Sequence, residues 1–212
     1  MTSLQRLLCG IALAAMPVLF AGAAPAAQSA DPDWPCIQRK VPSLSLGQVW
    51  SGPELPPLAA DWAKDPSVSA LVRDVAARRM PVAEAEKAIL NFAGSQPADH
   101  RKASMEMLAQ GLFDHMNSER GEVISGIARY ARNQLAMAAR LRAAASELGE
   151  LRAKPDASAN EIITRTEQMA MEIRIFEERV QSLTYVCEVP TFIEQRLYAL
   201  AKTVAKALAE PD

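Results

Sequence analysis

Histidine is almost absent from this chain, with two among 212 residues, and cysteine and glycine are scarce at three and nine. That leaves little material for the common catalytic layouts. No G-x-G-x-x-G, Walker A, G-x-S-x-G, C-x-x-C or H-E-x-x-H pattern occurs, so the phosphate-cradling loops, nucleophile elbows and zinc helices those patterns build have no sequence basis. A surplus of positive charge is missing too: 23 Lys and Arg stand against 25 Asp and Glu. Nucleic-acid binders normally show a clustered basic excess, so that class is excluded. No alternation of apolar and polar residues long enough for a strand appears anywhere, and the expected fold class is all-α.

What is present begins at the N-terminus. Arg6 is followed by an apolar run of 18 residues, Leu7 to Ala24, and then by small residues at Ala26, Ser29 and Ala30. This is the layout of a secretory signal peptide over residues 1–30, with cleavage after Ala26, Ser29 or Ala30. The expected location is the periplasm. The competing reading is a retained anchor, because 18 residues lie at the lower edge of a bilayer span; membrane attachment is expected only in that case. Cys9 stands near the start of the apolar run rather than closing it, unlike a lipid-acylated cysteine.

Removal of the segment leaves two cysteines, Cys36 and Cys187. In an oxidising compartment such a pair points to one structural disulfide, with free thiols or an intermolecular bridge as alternatives. Around Cys36, residues 31–64 form a proline-rich stretch expected to run as an extended arm. Trp34, Trp50 and Trp62 are its natural anchors, since indoles bury large apolar area at small entropic cost. The same tryptophans read alternatively as an exposed recognition strip. The segment Asp33-Trp-Pro-Cys-Ile-Gln-Arg-Lys-Val-Pro42, with Gln48-Val-Trp-Ser-Gly-Pro53 after it, resembles the N-terminal signature of a family of uncharacterised exported bacterial proteins. The resemblance spans about twenty residues and implies export; it carries no activity.

Residues 65–212 read as a helical domain. Asp65-Pro66 caps a first helix ending near Arg79, Met80-Pro81 opens a second, and Gly94-Ser95-Gln96-Pro97 breaks before a third carrying Met105, Leu108, Leu112 and Met116. Over 118–187 two long helical stretches flank Lys154-Pro155-Asp156, the second opened by Ser158 and Glu161 as a capping box. Ile162, Thr166, Met169, Ile173, Phe176, Val180, Leu183 and Cys187 step by four and three, the mark of a coiled-coil seam. The matching series is Ile124, Ile127, Ala131, Gln134, Ala138, Leu141, Ala145 and Leu148.

Folded antiparallel, the two series pair Leu148 with Ile162, Ala145 with Thr166, Ala138 with Ile173, Ala131 with Val180 and Ile124 with Cys187. Gln134 opposite Phe176 is a polar layer that specifies register. The first helix carries seven basic and four acidic residues over 117–154, and the second three basic and seven acidic over 156–188. Arg140 with Glu172, Arg132 with Glu178 and Arg165 with Glu147 fall in register. A final helix is expected after Pro190, opened by Thr191 and Glu194.

These features point to a compact base, a projecting hairpin tip over 141–169, and a noncatalytic role. The expected partner is a protein of the cell envelope, with no cofactor, catalytic residue or small-molecule substrate. Ala143, Ala144, Ala170 and Met171 are the expected partner-binding residues, as outward-facing small or apolar side chains near the tip. The alternative function is copper binding or sensing through Met105, Met107, His115, Met116, Met169 and Met171, because soft thioethers favour copper(I). Residues two apart point in different directions on a helix, and several of these methionines fall on core faces, so packing accounts for them. His115 with Glu119 could supply a general base or two ligands; His100 reads as a solvated residue at a helix start.

Overall fold

A computed structural model describes Asp31 and residues 33–209; the expected signal segment lies outside the described residues. All secondary structure among the described residues is helical, as expected: α1 (Leu46–Val49), a 3-10 helix (Pro57–Lys64), α2 (Pro66–Ala76), α3 (Val82–Ser95), α4 (Ala98–Ala153) and α5 (Ala159–Ala209). The long helices have 56 and 51 residues, and at about 1.5 Å per residue each extends roughly 80 Å.

Two helix boundaries differ from the expectation. The third helix and the first hairpin helix are one uninterrupted element, α4. Asn117 and Ser118 favour caps and turns over helix interiors, but here the Asn117 side chain serves the arm: its Oδ1 accepts from the Leu44 N–H at 3.0 Å and its Nδ2 donates to the Leu44 carbonyl at 3.3 Å. Likewise α5 runs straight past Pro190. An interior proline removes one backbone bond and costs about 3 kcal/mol. Cys187, Ile193 and Leu197 on either side are buried, and that packing offsets the loss.

The base is built where the N-terminal half of α4 and the C-terminal part of α5 are flanked by the short helices. Val68, Val72 and Val75 of α2, Ile89 of α3, Leu112 of α4 and Leu200 of α5 are fully excluded from water. Asp65 caps α2, its Oδ1 accepting from the N–H groups of Ser67 and Val68 at 2.9 and 3.0 Å. The Ser67 hydroxyl and then the Val68 N–H hold that carboxyl below its ordinary range. Gly111 lets the 3-10 helix settle on α4: a Cβ there would stand 2.8 Å from both the Trp62 ring and Val72 Cγ2. The indole N–H of Trp62 donates to Asp114 at 3.0 Å.

Arg196 is the most unusual core residue. Only 7% exposed, it donates through Nε and Nη2 to the Val75 carbonyl, at 3.0 and 2.6 Å, and through Nη1 to that of Met80 at 2.7 Å. These carbonyls belong to the end of α2 and the link to α3, where a helix leaves acceptors unsatisfied. Burial lowers the guanidinium pKa, with Glu119 opposing the shift.

The arm is shorter in extended backbone than its proline content implies, because α1 and the 3-10 helix interrupt it. Gln48 folds back to accept from the Ser45 N–H at 2.7 Å, which starts α1, and Pro57 sits at the first turn of the 3-10 helix, where its missing donor is harmless. The tryptophans are half-buried: Trp50 and Trp62 pack against the core, and the indole N–H of Trp34 donates to the Gln38 carbonyl at 2.6 Å. Arg120 Nη1 donates to the Val41 carbonyl, and Arg132 Nη1 lies against Asp33 Oδ2, both at 2.6 Å. Cys36 is joined to Cys187 of α5 across 151 residues.

Replacing Arg196 by Ala strands two backbone acceptors and is expected to cost about 2–4 kcal/mol in urea unfolding, with Arg196→Lys recovering only part because it lacks the forked donor. Denatured protein is expected to show no titratable thiol at Cys36 or Cys187 until reductant is added. Cys36→Ser with Cys187→Ser is expected to lower stability by several kcal/mol, since closing so long a loop contributes about 5 kcal/mol in the chain-entropy treatment.

Candidate functional site: the helical hairpin

Beyond the base, α4 and α5 continue as an antiparallel pair joined by the short turn at Lys154 to Ser158. The Ser158 hydroxyl accepts from the Glu161 N–H at 3.5 Å, so the cap expected there is present, though long. The base core takes in α4 only as far as Val123 and α5 only from Val189. Arg132 is the furthest point on α4 at which the arm makes a polar contact. Among the described residues, the two helices have only each other from there to the turn.

Their mutual burial is thin. On α4, Ile124, Ile127, Ala131, Gln134, Met137 and Leu148 are buried. On α5, not one side chain between Ala159 and Val186 reaches full burial; Ile162, Thr166, Met169, Phe176 and Leu183 are half-buried, and Ile173 and Val180 are exposed. The seam on α4 also departs from the expected spacing. Two steps of three, Ala131 to Gln134 to Met137, replace a three and a four, and an extra three-residue step overwinds a helical pair. Beyond it Ala144 is half-buried and Ala145 exposed, the reverse of the expectation. The pairing of Ala145 with Thr166 is therefore lost, and Arg152 Nη2 donates to the Thr166 hydroxyl instead, at 2.8 Å.

Of the three ion pairs expected across the hairpin, Arg165 with Glu147 forms at 3.9 Å, and Arg165 also holds Glu161 at 2.9 Å. Arg132 turns to the arm's Asp33, while Glu178 accepts from Arg174 at 3.0 Å within its own helix and Glu172 from Gln168 at 3.3 Å. One-turn partners on the same helix are nearer than those across the pair. One face is bridged midway: the Tyr130 hydroxyl donates to the Arg179 carbonyl at 3.0 Å, and Arg179 Nη1 lies 3.9 Å from Met137 Sδ. Gln134 has neither a donor nor an acceptor for its amide, and both atoms are buried. An unsatisfied group of this kind costs about 1–3 kcal/mol.

Near the turn, Ala144, Leu148 and Met169 floor a shallow cleft of about 200 Å³ rimmed by Glu147, Arg165 and Glu172. Ala143, Ala170 and Met171 stand exposed, and Met171 at 61% is among the barest large apolar side chains of the chain. Of the four partner-binding residues expected, three face solvent and Ala144 lies in the cleft.

The methionines and histidines of the alternative copper reading are not brought together. Met105 and Met116 are fully buried in the base, while Met169 is at the tip. His115 lines a groove with Ser118, Glu119 and Arg73, and Glu119 is engaged by Arg78 at 3.2 Å. His100 is exposed beside Asp99 at the start of α4. Among the described residues no cluster of three or more His, Cys, Asp or Glu side chains is placed to hold a metal ion, and no helix is long and apolar enough to cross a membrane.

Sequence reasoning passed over Asn117, Arg120 and Arg196, the polar side chains that fix the arm and the α2–α3 link. A signal for two of them was available. Arg120 lies four residues after Met116 and four before Ile124, and Arg196 directly before Leu197, so both stand on apolar faces where a charge needs a buried partner. No family model, curated protein or solved structure matches this chain.

Proposed function

We propose that this protein is a noncatalytic component of the bacterial cell envelope, exported to the periplasm, that holds a protein partner at the tip of its hairpin. The observation that carries the reading is a pair of long helices leaving the packed base, with no other element among the described residues on it beyond Arg132. At about 1.5 Å per residue, the span from Val123 to Ala153 reaches roughly 45 Å from that base. A helix pair of this length costs much chain and buries little of it. It is useful as a spacer carrying a contact surface at its far end. In this reading the seam packs as a two-stranded coiled coil, and the disulfide and the arm brace its root.

The tip offers what a protein contact needs: exposed apolar side chains at Met171, Ala143 and Ala170, beside a cleft rimmed by carboxylates and one guanidinium. Apolar contact at the centre would supply affinity and the charged rim orientation. The copper alternative has no comparable support, since its buried methionines already serve as core.

A photo-crosslinking side chain placed at Ala143 or Met171 in intact cells is expected to capture one discrete polypeptide. Met171→Glu combined with Ala143→Glu is expected to reduce co-purification of that polypeptide at least about tenfold, the equivalent of losing about 1.4 kcal/mol of contact energy, with helix content unchanged by circular dichroism. Removal of residues 143–169 should abolish it. Unchanged recovery in these variants would take the tip out of the interaction.

A further inference from the structure

The middle of the hairpin presents a second surface, apart from the tip. Ile173 and Val180 belong to the α5 seam by spacing, yet they are 38% and 45% exposed, and Leu135 on α4 is 56% exposed. Ile173 and Val180 are seven residues apart and so lie on one stripe, two turns from each other. Antiparallel register puts Leu135 level with Phe176, midway between them. The Tyr130 and Arg179 contacts bridge the opposite side of the pair. Leu135 begins one turn beyond Arg132, where the arm's Asp33 contact ends. Two helices alone thus leave one side of their apolar seam bare around the unsatisfied Gln134 amide.

We propose that this face is covered by a second copy of the same chain, giving a four-helix arrangement of two hairpins about a two-fold axis parallel to the helices. The argument for a second copy is the charge distribution. Over 117–154 α4 has seven basic and four acidic residues, and over 156–188 α5 has three basic and seven acidic. A two-fold axis along the helices sets α4 of each copy against α5 of the other, antiparallel, so that each net positive helix meets a net negative one. Exposed Arg142 continues the Leu135 stripe seven residues on, and exposed Glu177, four residues after Ile173 and three before Val180, edges the stripe they form. A surface that is its own complement in this way is the requirement for an isologous interface. The same axis brings Leu135 of one copy between Ile173 and Val180 of the other and leaves both tips at the same end.

Sedimentation equilibrium of the purified chain is expected to give twice the chain mass, and Val180→Glu is expected to shift it to the single-chain mass with unchanged helix content. A second measurement does not depend on destabilising anything: one tagged chain carrying Leu135→Cys and a differently tagged chain carrying Ile173→Cys, mixed and treated with a short bismaleimide, are expected to yield a crosslinked species bearing both tags. A single-chain mass at all concentrations, or failure of the mixed pair to crosslink, would overturn the proposal. A crosslink from these positions only to a different polypeptide in cells would overturn it equally. These residues are distinct from Ala143 and Met171, so the result is independent of the outcome at the tip.

Discussion

The antiparallel contact between α4 and α5 is the constraint on which the rest of the molecule is arranged. In the base, its two helices are the wall against which α2, α3 and the 3-10 helix bury their apolar faces, and Met105, Leu112, Leu197 and Leu200 make that wall continuous. Beyond Arg132 no other element among the described residues stands behind the same contact. One pair of helices therefore works in two regimes: as the densest part of the core at one end, and as a sparsely buried rod at the other. The change occurs where the short helices stop, near Val123 and Val189.

Buried guanidinium groups hold the irregular parts to this frame. Arg196 gathers two carbonyls at the α2–α3 link, and Arg120 takes one from the arm while lying 3.5 Å from Glu194. Backbone acceptors without helical partners are expensive to bury, and a planar donor with five hydrogens can serve several at once. This accounts for charges in a core otherwise made of valine, leucine, isoleucine, methionine and alanine. It also explains how a proline-rich segment with little regular structure stays ordered along two helices.

Much of the fold was legible in residue spacing. The turn at Pro155 followed by Ser158 and Glu161, the helix starts marked by Pro66 and Pro81, and the pairing of Cys36 with Cys187 each rest on one local chemical preference, which the structure keeps. The failures came where tertiary packing outvoted such a preference. Pro190 reads as a helix stop, but the flanking side chains are already committed to α4. The third helix and the first hairpin helix read as separate stretches, but they are one, with the Asn117 amide used sideways by Leu44. The heptad through Ala138 and Ala145 assumed a uniform winding that the Ala131, Gln134, Met137 steps break, and this moved Ala144 inward. The candidate site was legible as a place, the far end of the hairpin, because periodicity and charge outlast the core. The identity of what meets it was not, since alanine and methionine supply area without a distinctive chemistry.

The bond between Cys36 and Cys187 couples a position near the start of the described residues to one about six helical turns before the end of α5. A polypeptide synthesised from its N-terminus presents one sulfur 151 residues before the other. Oxidation therefore comes last, after most of the molecule has been made, and it ties down an early segment that has waited unattached. Apart from Cys9, no competing sulfur exists with which the early one could be mismatched. The chain's economy in this residue is thus a safeguard on assembly order, reached by leaving the wrong choices out.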